Sequence, residues 1–537
     1  MASPVFKPYN PNQATFLPPS LDELIGESHQ VRFICAVIDQ MNIDEIMATY
    51  KGGGTSSYHP RMMLKILIYG YTQRVYSCRQ LAKAVRETIP YMWLAGGQRP
   101  DFRTINDFRK KRLPGGGIKA IFTEVMLLLV ENDLVDLKDY TVDGTTLEAN
   151  ARKHSAVWAK NAERWRRKAI ERIEQYFDQI QRLADLEDAQ YGPADLAETG
   201  ADSDWDSGDI AEAAERVGRA LSEQADKQAV EKFRLSKAET RLRWITDREL
   251  AKLKKYERQQ QILGERNSYA RTDPDATFMR LKGQSPFDKL LSPAYNLQMG
   301  CQNQFILGYS LHENAADKVN LKDHLDGLAF KPDWLCADAG YGSLANFELL
   351  NEQDIHPVVA YPGHHRKPKA YSRYNFRREP KTDSYRCPQG RRMKFKDTQQ
   401  YRYAAGKTTR RRTYECEDCT DCPVRADCCY GEGPRTISFT PRLEQWKNRV
   451  SKLLSQNKKA RTLMRQRGAQ IEAVFGQLKE NDRMRRLVMR GKRMVETEVG
   501  LKAIAHNLRK MHSILKTKSV LGLKNIMSSA TCLELVA

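Results

Sequence analysis

Asp333-Trp334-Leu335-Cys336-Ala337-Asp338-Ala339-Gly340-Tyr341-Gly342-Ser343 is the stretch on which the fold of this chain turns. Its apolar half reads as a short buried strand, and an acid stands at the strand's end with small residues behind it. In an α/β sheet, ligands and metals gather at strand ends. A small following residue lets them approach the backbone closely. A second stretch repeats the setting, with Tyr140-Thr141-Val142 running into Asp143-Gly144-Thr145. A lone Asp at such a place is more often a turn former or a helix cap. Two in one local setting make Asp143 and Asp338 candidate site residues.

Around these stretches the elements alternate. Tyr295 to Met299 and Phe305 to His312 read as strands joined by a tight turn. A helix is expected from about Lys318 to Ala329, another from about Leu344, and a strand from His356 to Tyr361. With an apolar helix over 117–138, this order is mixed α/β. Between the two Asp stretches lies a long helical insertion. Trp158, Ala162, Trp165, Ala169, Ile173, Tyr176, Ile180 and Leu183 recur at spacings of three and four, a coiled-coil seam. Residues 185–215 carry 11 acids and no Lys or Arg, as a solvated tip would. Helical sequence resumes from about Ala211 to Gly264. The expected unit is an antiparallel arm whose seam either zips its own helices together or binds a second copy.

Composition narrows the partner. The chain has 537 residues, enough for roughly three to four domains. It carries 88 Lys and Arg against 67 Asp and Glu, a net charge of +21. Such a surplus points to a polyanion, nucleic acid first and an anionic membrane surface second. Apolar runs fall far short of the ~20 residues a spanning helix needs. No secretory signal pattern opens the chain, so a cytoplasmic protein, nucleoid-associated when bound, is expected. Residues 58–113 read as three short helices: one after Pro60, one after Ser77, and a basic one from Thr104 with Arg109 and Lys110. They form either a helix-turn-helix type of DNA reader or a small bundle that packs on its neighbours.

Basic and cysteine-rich sequence follows the α/β segment. From Arg366 to Arg412 there are 17 Lys or Arg against three acids, with tyrosines and phenylalanines interleaved. That mixture suits phosphate contact with base stacking, and Arg410, Arg411 and Arg412 are its densest run. Of 11 cysteines, six crowd into Cys387–Cys429. Cys419 and Cys422 have the spacing of half a tetrahedral Zn²⁺ site, completed by Cys387 and Cys428 with Cys416 as substitute. A structural Zn²⁺ bracing the basic insertion is expected.

A third acid lies on a helix. In Arg467-Gly468-Ala469-Gln470-Ile471-Glu472-Ala473-Val474-Phe475-Gly476-Gln477-Leu478-Lys479, the residues Ile471, Val474, Phe475 and Leu478 form a buried stripe. Glu472 stands beside it, and Lys479 lies two turns on along the same side. Glu472 either serves a site or pairs with Arg465 or Arg467.

These strings together resemble bacterial insertion-sequence transposases of the DDE class, the insertion sequence 1182-like group above all. Tyr58-His59-Pro60-Arg61, Tyr69-Gly70-Tyr71 and Pro100-Asp101-Phe102-Arg103-Thr104-Ile105 resemble their N-terminal helical domain. Asp143-Gly144-Thr145 resembles the first-acid motif, and Asp338-Ala339-Gly340-Tyr341-Gly342-Ser343 the second. Glu472 with Phe475-Gly476, Lys479 and Arg490-Gly491 resembles the third-acid region, and His506-Asn507-Leu508 fits the helix after it. Many relatives carry Tyr, two residues, Arg, three residues, Glu, six residues, Lys. Here the Glu-to-Lys spacing holds, Arg465 stands at the Tyr position, and Gly468 at the Arg position, with Arg467 one residue displaced.

The resemblance implies a ribonuclease-H-like mixed sheet and a catalytic triad of Asp143, Asp338 and Glu472. Phosphodiester cleavage needs an activated water and a stabilised leaving oxygen, which two divalent ions can supply. Carboxylates suit Mg²⁺, or Mn²⁺ in its place. Arg467, Lys479 and Arg490 are then candidates for holding phosphate. The implied partners are double-stranded DNA (the element's terminal inverted repeats and the target) and a second copy of the chain in a synaptic homodimer, with no membrane. The alternative is a non-catalytic DNA-binding protein derived from a transposase. The expected organisation is an N-terminal helical domain over 1–116, and catalytic segments over 117–150, 292–362 and 451–516. A helical arm over 151–291, a basic cysteine-rich insertion over 363–450 and a tail over 517–537 complete it.

Overall fold

The computed structural model describes residues 20–50, 56–191, 205–223, 229–281, 290–361, 370–404, 406–429 and 431–518. The Pro-rich start, the Gly52-Gly53-Gly54 break, most of the acidic tip and the tail lie outside the described residues.

Eight strands come first in chain order: β1 Asp139–Glu148, β2 Ala156–Trp158, β3 Ser268–Ala270, β4 Thr277–Met279, β5 Ser292–Gln302, β6 Phe305–His312, β7 Trp334–Ala337 and β8 His356–Val359. The central sheet runs β6-β5-β1-β7-β8, with β4 pairing the start of β5. β1, β5 and β6 are antiparallel, whereas β7 and β8 lie parallel to β1. Helix Leu344–Glu352 makes the crossover that the parallel pair β7–β8 requires. The β5–β6 hairpin turns on Asn303 and Gln304, both at positive φ (51° and 62°), the geometry that matches strand twist in a two-residue turn. This order and sense are consistent with a ribonuclease-H-like sheet.

β1 continues past the point where the sequence reading ends it. β5 pairs with it from Thr141 to Glu148, while β7 accompanies it only over Asp139–Thr141. Asp143 therefore lies inside a strand, at the place where one of its two neighbours has stopped.

The N-terminal unit contains helices Gln30–Gln40, Pro60–Thr72, Cys78–Glu87, Ile89–Leu94 and Phe102–Lys111. Residues 21–24 form turns, and the first helix starts at Gln30 with His29 as its cap. The basic helix starts at Phe102, because Asp101 caps it by accepting the Thr104 N–H at 2.7 Å. A carboxylate there also complements the positive helix end, so Asp101 displaces Thr104 from the capping role. One hydrophobic core runs from these helices through the sheet to helix Lys492–Lys518. The N-terminal unit is thus packed onto the catalytic sheet. Asn507 fastens the C-terminal helix to β6, accepting from the Ile306 N–H and donating to its carbonyl, both at 2.8 Å.

The insertion forms helices Ala159–Tyr191, Ser207–Glu223, Ala229–Arg243 and Leu250–Leu263, with a π-helical segment at Trp244–Glu249. They share a separate core in which Ile170, Ile173, Phe177 and Ile180 meet residues such as Ile210, Ile245 and Leu253. The arms zip onto each other. Trp165, expected in the seam, is 42 % exposed, with Arg164 and Lys168 over its ring.

Downstream stands a five-stranded antiparallel sheet of β9 Arg377–Glu379, β10 Ser384–Arg386, β11 Arg392–Ala404, β12 Lys407–Cys416 and β13 Thr436–Phe439. Periodicity did not reveal it, because both faces of β11 and β12 are largely polar. Among the described residues, no single helix is long and apolar enough to cross a membrane.

Candidate active site

Strand register brings the two Asp together. Thr141 of β1 pairs with Cys336 of β7, and two residues further along each chain stand Asp143 and Asp338. Neighbouring strands lie about 4.8 Å apart, so Asp143 and Asp338 stand at matching positions just past the end of the β1–β7 ladder. Each also serves its own backbone: Asp143 accepts the Gly144 N–H at 2.7 Å, and Asp338 accepts the Gly340 N–H at 2.8 Å, capping the turn Ala339–Tyr341.

Glu472 arrives from the other side of the chain. Ile471, Val474 and Leu478 are buried as their spacing predicts, and they press the helix onto the sheet. The helix is not regular, however. Gly468–Glu472 and Gln477–Asn481 are π-helical, and each segment starts at or directly after a glycine. Such wide turns occur often at functional sites. The first packs against β1 and β5. Glu472 lies over Gly468, whose absent Cβ would sit 3.4 Å from its carboxylate. The guanidinium linking the acids belongs instead to Arg467, which stands 3.5 Å from Asp143 Oδ2 and donates to Glu472 Oε1 at 3.2 Å. The pairing that competes with a site role for Glu472 is therefore present, yet it ties Glu472 to Asp143. Lys479 donates from Nζ to the Thr145 hydroxyl, two residues beyond Asp143.

Among the described residues, no group of three or more His, Cys, Asp or Glu side chains is arranged to hold a metal ion. The donor chemistry still fits a hard divalent cation: Asp143, Asp338 and Glu472 supply oxygen ligands only, and the side chain of Glu472 is 63 % exposed. Beside Asp338 opens a cleft of about 590 Å³ lined by Arg461, Arg465 and Arg467. Arg461 was not foreseen as a site residue. Its i, i+4 spacing to Arg465 was the available signal, since it puts both on one helix face.

A family model described as a transposase DDE domain matches residues 386–512, and one described as a transposase domain (DUF772) matches residues 19–111. Both matches support a DDE-type insertion-sequence transposase. No curated protein and no solved structure matched it. Glu472 falls within the matched DDE stretch, whereas Asp143 and Asp338 precede it, so their assignment rests on the strand register. A DDE domain implies metal-dependent cleavage of DNA.

The remaining basic residues are placed unevenly. Arg109, expected on a DNA surface, is 6 % exposed and donates to the Tyr76 carbonyl at 2.9 Å and the Tyr71 hydroxyl at 3.4 Å. The helix that carries it turns Ile105, Phe108 and Arg109 inward, and Lys110 outward. Arg490 is exposed, and its Nε donates to the Asn150 carbonyl at 2.8 Å. Arg410, Arg411 and Arg412 do not form one strip, because strand alternation sends Arg411 to the face opposite the other two. Arg411 stacks over Tyr401, whereas Arg412 pairs with Asp383 and lies over Phe395.

The small sheet gathers thiols. Cys416, Cys419 and Cys428 are buried in a core that also holds Phe376, Met393, Tyr414 and Ile437, with Cys387 and Cys429 packed at its edge. The Cys419 thiol meets those of Cys416 and Cys429. Cys422, expected as a ligand, is not part of this core; its carbonyl accepts the Arg425 N–H in the turn ahead of helix Arg425–Cys428. Cys416, the substitute ligand, stands at the end of β12 opposite Met393 and is buried in that core.

Proposed function

We propose that this transposase binds the terminal inverted repeats of its element, cleaves phosphodiester bonds by two-metal-ion catalysis, and joins the freed 3′-OH to target DNA. The observation that carries this reading is the register of β1 on β7, which sets Asp143 beside Asp338, with Arg467 joining Asp143 to Glu472. Asp143, Asp338 and Glu472 would hold Mg²⁺ or Mn²⁺, and bound ions would activate the attacking oxygen and stabilise the leaving one. Arg467 lies between two of these acids, where its guanidinium also reaches a scissile phosphate. Arg461 and Arg465 line the cleft next to Asp338 and hold the strand as it passes. Lys479 sits behind Thr145 and offsets the acidic charge at β1. In the small sheet, Cys387, Cys419, Cys428 and Cys422, or Cys416 in its place, would gather around a structural Zn²⁺ that braces a DNA-contacting surface. Synapsis of two element ends calls for a homodimer, and the enzyme works in the cytoplasm on nucleoid DNA.

The test is nicking of a terminal-repeat duplex by the full chain. Metal-dependent cleavage that disappears with EDTA supports the proposal. Specific binding of the repeat without any cleavage, with Mg²⁺ or Mn²⁺, would make the chain a non-catalytic DNA-binding descendant.

A further inference from the structure

Directly behind the two Asp lies a polar cluster that their chemistry does not use. Gln298 of β5 stands opposite Gly144 and is fully buried, as is Asn296 beside it. Gln298 Nε2 donates to Asn296 Oδ1 at 2.9 Å and to Asp317 Oδ1 at 2.8 Å. Its Oε1 accepts the hydroxyl of Tyr341, another fully buried residue. Asn296 Nδ2 donates to the same Asp317 Oδ1 at 2.8 Å. Both amide hydrogens and the amide oxygen of Gln298 are therefore engaged, and the partners fix which way the amide faces.

Position gives this cluster its meaning. A Cβ at residue 144 would lie 2.1 Å from Asp317 Oδ1 and 2.3 Å from Gln298 Nε2, so the cluster presses on the backbone directly after Asp143. Tyr341 ends the turn that Asp338 caps, three residues after it. Burial, and then the charges of Asp317, Asp143 and Asp338, raise the Tyr341 pKa well above its ordinary value, so the hydroxyl keeps its proton and remains a donor. Burying an amide and a phenol costs free energy unless they are hydrogen-bonded, and apolar residues of similar shape would pack as well.

We propose that Gln298 and Tyr341, anchored on Asp317, are positioning residues that set the separation of the Asp143 and Asp338 carboxylates. The inference rests on the reading that these two acids hold the metal. Its mechanical content is one continuous link: the Asp143–Gly144 backbone touches Gln298, Gln298 holds Tyr341, and Tyr341 holds the Asp338 turn. Removal of such outer partners commonly lowers metal affinity or activity about 10–100-fold.

The experiment measures Mn²⁺ binding by calorimetry on the full chain, with Mg²⁺ dependence of nicking and repeat-DNA affinity alongside. Tyr341→Phe removes one hydroxyl, and Gln298→Met keeps the length without the amide. Each is expected to weaken Mn²⁺ binding about 10-fold or more, and to raise the half-saturating Mg²⁺ similarly, with DNA affinity unchanged. Wild-type Mn²⁺ affinity in both variants would overturn the proposal, whatever happens to their melting temperatures. So would failure of both to fold, since the cluster would then serve the domain as a whole. Asp143→Asn and Asp338→Asn separate the two readings: if they bind Mn²⁺ as the wild type does, the metal-site assignment itself is wrong.

Discussion

β1 and β12 are both ten residues long, yet β1 buries seven of its residues and β12 only three. β1 is flanked by β5 and β7, within a core that extends to the N-terminal and C-terminal helices. β12 belongs to a sheet whose whole core is seven residues, three of them cysteines. In the first setting even the threonines are buried and the strand is paired along its length, so an acid such as Asp143, with its side chain 15 % exposed, stands out. In the second, exposed polar residues are the rule, and no single arginine there is informative. In the small sheet few buried groups offset the entropy of ordering the chain, which is why the proposed Zn²⁺ would matter there.

Predictions can break this contrast. The largest effect is expected at β1 and its neighbours. Asp143→Asn, Asp338→Asn and Glu472→Gln should each lower strand cleavage by on the order of 10³-fold or more, which is ~4 kcal/mol of barrier. Repeat-DNA binding should stay intact in gel-shift assays. Asp354→Asn and Glu480→Gln are controls from the same regions and should cut normally. Active triad variants beside dead controls would remove the assignment.

The small sheet should respond to metal rather than to core substitutions. Freshly purified protein should carry about one Zn²⁺ per chain by elemental analysis. Cys419→Ser should release it and expose β11–β12 to protease, as should one of Cys416→Ser and Cys422→Ser but not the other. Absence of zinc in unchelated protein would leave the thiols as ordinary packing.

Arg109→Met sharpens the contrast from the side of the large core. It strips the partly buried Tyr76 carbonyl of its donor and should cost about 1–3 kcal/mol of stability in denaturant melts. The salt dependence of DNA binding should not move. A flattened slope would return Arg109 to the DNA surface.

The smallest effect is expected on β12 itself. Neutralising Arg410, Arg411 and Arg412 together should reduce the salt slope of log affinity by ~1 to 2, since each phosphate contact contributes ~0.9 and Arg411 faces away from the others. An unchanged slope would take β12 off the DNA path.

Within the central sheet β6 and β7 were legible because they are short apolar runs with clear ends, whereas β1 and β5 extend into polar sequence. β6 begins and ends where its pattern does, and β7 ends directly before Asp338. The cleft arginines were partly legible from helical spacing. The small sheet was not, because its strands alternate polar with polar and carry no burial signal.

By itself the sequence determined the acids and their local settings: a strand running into Asp338, a glycine after Asp143, and a buried stripe beside Glu472. These are short-range properties, fixed by side-chain period and by where small residues occur. Only the tertiary structure decided which groups meet. The register of β1 on β7 aligned two Asp that stand 195 residues apart. π-helical turns turned Arg467, rather than position 468, toward both acids. Packing turned Arg109 inward and buried Cys416 at the end of β12. Pairing between distant segments depends on which faces bury together, and no local pattern carries that information.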